Sequence, residues 1–125
     1  MISPNLAQFA KQRYLNLETY RKNGQPVRTP MWFAEADGIL YMYSLAGAGK
    51  VKRIRNNPRV RVVPCGFRGR PHGTWVRGIA RIVDEADARQ GHQLLNQKYG
   101  LWKRGGDFFG RLRRRQHVVI TIRID

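Results

Sequence analysis

With 125 residues, 42% of them hydrophobic, the chain is long enough for one domain with its own core and too apolar for a disordered segment. No apolar run reaches the length of a membrane span, and a single cysteine, Cys65, excludes an internal disulfide. The formal net charge of +16 calls for anionic partners, but it is spread along the chain, with no zinc-ligand spacing, aromatic sheet signature or recognition-helix pair, so a nucleic-acid reader is not expected.

Met1 to Ala10 shows no basic start followed by an apolar block, so no signal peptide is expected, and a cytoplasmic location suits the lone cysteine. Asn5 to Arg13 predicts a short helix. Tyr14 to Arg21 alternates with a period of two and predicts a strand, followed by an Asn23-Gly24 turn and a second strand over Pro26 to Ala34. Asp37-Gly38 predicts another turn, and Gly38 to Ser44 a third strand. Arg59 to Cys65 and Thr74 to Val83 alternate again, on either side of a basic, glycine-rich loop over Gly66 to Gly73. That loop is expected to be mobile or to lie across a subunit boundary. Asp84 to Tyr99 predicts a helix, Leu101 to Arg115 a very basic helical or irregular segment, and Gln116 to Ile124 a closing strand. Six antiparallel strands with short flanking helices predict a mainly β, single-domain small barrel.

The segment Gly47 to Pro58 carries the chemistry. Lys50, Lys52, Arg53 and Arg55 follow two glycines, between two strands. A helix starting near Ala48 would aim unpaired N–H groups and its positive dipole end at a ligand, and the cations of the first turns would add full charges. A phosphate site, and so a phosphorylated cofactor, is the expectation, set against a plain solvated helix. His72, His92 and His117 are too separated for a metal site, and no acid–base pair stands out. Cys65 is expected to be a buried small hydrophobe.

The succession Leu17-Glu18-Thr19, Asn23-Gly24, Arg28-Thr29-Pro30-Met31-Trp32-Phe33, Asp37-Gly38, Leu40-Tyr41-Met42, Gly49-Lys50-Val51-Lys52-Arg53 and Asn57-Pro58-Arg59-Val60 resembles the pyridoxamine 5'-phosphate oxidase-like (PPOX class) FMN-binding split-barrel superfamily. Within it, the chain is most similar to the actinobacterial branch of deazaflavin (coenzyme F-420)-dependent oxidoreductases, also through Gly78 to Val83 and Leu95 to Gly100. The resemblance covers roughly residues 12 to 124 and implies a six-stranded split barrel, a homodimer, and two cofactor sites at the subunit interface. It implies that Arg28, Thr29, Pro30 and Met31 line the flat ring, and that Tyr43 and Ser44 lie near the ribityl chain. Lys50 and Lys52, helped by Arg53, would hold the phosphate. Trp75 and Arg77 would complete the site from the other subunit. Coenzyme F-420 carries an acidic tail that FMN lacks, and Arg68, Arg70 and the run Arg111 to Arg115 are expected tail contacts. Hydride transfer to a small organic substrate is the implied reaction. FMN in place of F-420, a non-catalytic haem or cofactor binder, and a nucleic-acid binder remain alternatives.

Overall fold

The computed structural model describes residues 4–83 and 117–124. After the short helix α1 (Pro4–Ala7), the strands are β1 (Tyr14–Tyr20), β2 (Pro26–Trp32), β3 (Ala34–Ala36), β4 (Ile39–Leu45), β5 (Arg59–Cys65), β6 (Val76–Val83) and β7 (His117–Ile124), with helix α2 (Gly49–Asn56) between β4 and β5. They form one antiparallel sheet in the order β2-β1-β5-β6-β7-β4-β3.

Strands β2 and β3 lie at opposite edges of that sheet, yet only Phe33 separates them in the chain. The sheet must therefore curl until its edges meet, and β2 does touch β4. This corrects the single strand expected over Pro26 to Ala34 and raises the count from six to seven. Phe33 is wholly buried and packs edge-on against Phe9, with ring centroids 5.8 Å apart. Seating that ring in the core breaks the β2 ladder and hands the chain to the far edge.

The hairpins follow their turn residues. Asp37 and Gly38 both take positive φ, 53° and 81°, as a two-residue turn matching strand twist requires. At the β1–β2 turn only Gly24 does, at 88°, and its N–H donates to the Arg21 carbonyl. The core gathers inward positions of every strand except β3, including Leu15, Leu17, Met31, Leu40, Met42, Val60, Val62, Ala80, Ile120 and Ile122. Val51 and Ile54, three apart on α2, close one end of the barrel.

The glycine-rich loop is tied to its own chain. The His72 N–H donates to the Pro64 carbonyl at 2.7 Å, and Asn16 Nδ2 donates to the Gly69 carbonyl at 3.0 Å. Gln8 exchanges two hydrogen bonds with the Thr74 backbone. Among the described residues no helix is long and apolar enough to cross a membrane. The helix expected over Asp84 to Tyr99, the segment Leu101 to Arg115 and His92 lie outside the described residues.

Candidate cofactor site

Helix α2 begins where the sequence places it. Ala48 occupies the N-cap with an extended backbone and no side chain able to cap, so the first N–H groups lack the partner that Ser or Asp would supply. Proline at 58 holds Asn57 extended, at φ −146°, and ends the helix. No acidic residue sits in its first turn.

Lys50 is half-buried in that turn. Burial pushes its ammonium pKa down, and the charge of Arg53 adds to the effect. Burial likewise lowers Arg53, with help from Arg21. The carboxylates of the described residues are Glu18, Glu35 and Asp37, and their ion pairs all belong to Glu18. The start of α2 is thus a partly desolvated cationic cluster without a protein counter-ion among the described residues. Arg53 Nε donates to Thr19 Oγ1 at 2.7 Å, tying α2 to β1 beside β2, where Thr19 pairs with Val27. A Cβ on Gly49 would approach Arg53 Nη1 to 2.8 Å, so the glycine leaves room for the guanidinium. Thr19→Val should lower stability by about 1 kcal/mol and release Arg53, a loss readable by urea denaturation. Lys52 is exposed.

The other sequence candidates divide between two faces of the sheet, because side chains alternate along a strand. Met31 is buried in the core and Thr29 shares its inward side, whereas Arg28 and Pro30 point outward. A flat ligand along β2 would therefore meet at most alternate side chains. Among the described residues β2 is an edge strand, hydrogen-bonded as a ladder on one side only, to β1. Ser44 is buried at the end of β4, with its hydroxyl donating to the Leu45 carbonyl, while Tyr43 faces outward beside Tyr41 and Val119. The short Leu45–Ala48 link carries β4 directly into the α2 start.

The outward face holds a cluster that sequence reasoning missed. Glu18 lies opposite both Arg28 on β2 and Arg61 on β5. Its side chain is 0% exposed and accepts hydrogen bonds from Arg61 Nε at 2.6 Å, Arg28 Nε at 2.8 Å and the Tyr20 hydroxyl at 2.6 Å. Burial alone would raise the Glu18 pKa. The bonds from Arg61, Tyr20 and Arg28 outweigh it and bring the value from 4.5 down to about 2. Trp75 lies across both guanidiniums, 5.0 Å from Arg28 and 5.4 Å from Arg61. The available signal was the spacing: a lone acid in a β1 position flanked in register by arginines. Asn16, also buried, keeps an Oδ1 with no partner among the described residues.

Arg68 and Arg70 are exposed on the loop, and Arg111 to Arg115 lie outside the described residues. His72 is exposed and packs over Gly66. Cys65 is buried, which pushes its thiol pKa up and keeps it protonated and inert.

Residues 2–125 match the pyridoxamine 5'-phosphate oxidase family. The chain belongs to that family. No sequence among the curated proteins matches it. Among solved structures, an F420 reductase is similar at 22% identity and a TM-score of 0.68, over 100% of this chain and 96% of the other. A FAD-binding protein from Mesorhizobium loti is similar at 24% identity and a TM-score of 0.66, over 99% and 91%. The heme storage protein of Vibrio cholerae is similar at 16% identity and a TM-score of 0.70, over 99% and 90%. At these identities the likeness is one of fold alone, and the function has to be argued from the site.

Proposed function

We propose that this family member is a coenzyme F-420-dependent oxidoreductase of the deazaflavin branch, acting as a cytoplasmic homodimer on a small organic substrate. The observation that carries the reading is the uncapped start of α2, where Lys50 is partly desolvated beside Arg53 with no carboxylate among the described residues to neutralise it. Such a site fits a phosphodiester, which takes both N–H donors and point charges.

In this reading Lys50, Lys52 and Arg53 hold the phosphate, and Thr19 keeps Arg53 in place. The β2 edge from Arg28 to Met31 positions the flat ring, and Tyr43 and Ser44 flank the chain that joins ring to phosphate. Trp75 and Arg77 close the site from the partner subunit. When bound, the cofactor supplies the hydride chemistry, while the protein orients it and keeps water out. The net charge of +16 favours F-420 over FMN, since the acidic tail gives the surplus cations a counter-charge. The likeness to an F420 reductase over the whole chain is consistent with this choice, and the FAD-binding relative keeps a flavin as the second reading.

The activity test offers reduced F-420 and reduced FMN, each with a quinone acceptor, to the purified protein. Accelerated oxidation of reduced F-420 supports the proposal. Acceleration with reduced FMN alone would assign the flavin reading instead, and acceleration with neither would remove the enzyme reading.

A further inference from the structure

A second cationic site lies on the outward face of the sheet, apart from the start of α2. A groove of about 410 Å³ opens between the β1–β2 turn and strands β5 and β6, and its walls include Tyr20, Arg59, Val60, Arg61, Arg77 and Ile79. Its volume falls in the range of small-molecule sites.

The strand register explains its charge. Arg61 pairs directly with Arg77, and Arg59 pairs with Ile79, so Arg59 and Arg77 occupy diagonal positions on adjacent strands. Like charges set directly opposite one another destabilise a sheet. Glu18 neutralises Arg61 from behind through its 2.6 Å bond. Arg59 and Arg77 are exposed, and no carboxylate of the described residues pairs with either. Among the described residues the groove therefore keeps two uncompensated guanidiniums, with Ile79 beside both, opposite Arg59 and two residues on from Arg77 along β6. Diagonal cross-strand positions stand about 7–8 Å apart at the backbone, so the two arginines rise from separate points of the groove wall, one for each anionic group. Burial and its bond to Glu18 raise the Tyr20 pKa, so that hydroxyl stays protonated at the groove wall.

We propose that this groove binds a small dicarboxylic acid, one carboxylate on Arg59 and the other on Arg77, with its methylene chain over Ile79. The site goes beyond the proposed cofactor reading, with which it shares Arg77, and Arg59 with the α2 lysines as control separates the two.

Calorimetric titration of the full chain with glutarate, and with pentanoate as the monoanion of equal length, tests this at constant ionic strength. Glutarate should bind about tenfold or more tighter than pentanoate, the gain expected from a second charge-assisted contact. Arg59→Gln/Arg77→Gln should remove about tenfold or more of the glutarate affinity, while Lys50→Ala/Lys52→Ala should leave it within about twofold. Both arginines are exposed, so the variant should keep the wild-type melting curve. Three results would each overturn the proposal: no glutarate binding, equal affinity for the two acids, or equal losses in the arginine and lysine variants. The last would reduce the effect to the overall charge of the protein.

Discussion

Gly78→Ala should be among the most damaging small substitutions in this protein. Gly78 is buried in β6, and a Cβ built there would come within 2.8 Å of Ile122 Cγ2 and 2.9 Å of the Arg123 carbonyl oxygen. The isoleucine can shift, but the carbonyl belongs to the neighbouring strand β7 and cannot move without disturbing the β6–β7 ladder, which runs from Gly78 opposite Ile124 to Val83 opposite Val119. Overpacking of this kind costs about 1–3 kcal/mol, and the backbone contact places Gly78 at the upper end. Gly47→Ala is the matched control, because nothing lies within 4 Å of its added Cβ. Urea denaturation should show a large drop in midpoint for Gly78→Ala and little change for Gly47→Ala. Equal midpoints would mean that β7 does not press on Gly78.

Acid should destabilise the fold through Glu18. Its pKa is held at about 2 in the folded protein against 4.5 for the free group. A depressed carboxyl pKa contributes stability that is fully present above about 4.5 and is lost as pH falls through about 2. A shift of this size is worth roughly 2–3 kcal/mol, allowing for solvent screening at the two arginines, whose side chains are 53% and 39% exposed. Glu18→Gln removes the charge but keeps the shape, leaving Arg28 and Arg61 unneutralised under Trp75. It should lower stability at neutral pH by about 2–4 kcal/mol and flatten the profile between pH 5 and 2. A Gln variant whose stability falls with acid as steeply as the wild type would assign that fall to other carboxylates.

The hairpins and the helix between β4 and β5 were legible because their signals are local. Asn23-Gly24 and Asp37-Gly38 announce turns by backbone chemistry, and Asn57-Pro58 announces the end of α2. The break at Phe33 was not legible. Its cause is a tertiary one, the burial of one ring where the sheet curls, and the run Pro26 to Ala34 alternates well enough to hide it. The Arg28 to Met31 run showed a related limit. Its four residues are contiguous in sequence, but the pleat sends Thr29 and Met31 inward and Arg28 outward to Glu18. The cluster around Glu18 joins β1, β2, β5 and Trp75, and only the register brings them together. At the α2 start the cations could be read from sequence. Their desolvation, and the tie from Arg53 to Thr19, required the packed structure.

The most direct test of the cofactor reading is a competition titration of the purified protein with coenzyme F-420 and FMN, in the wild type and in Lys50→Ala/Lys52→Ala. The account predicts micromolar F-420 binding, on the order of −8 kcal/mol, that outcompetes FMN and weakens by about a hundredfold or more in the lysine variant. F-420 binding left unchanged by removal of both lysines, or no F-420 binding at all, would contradict it.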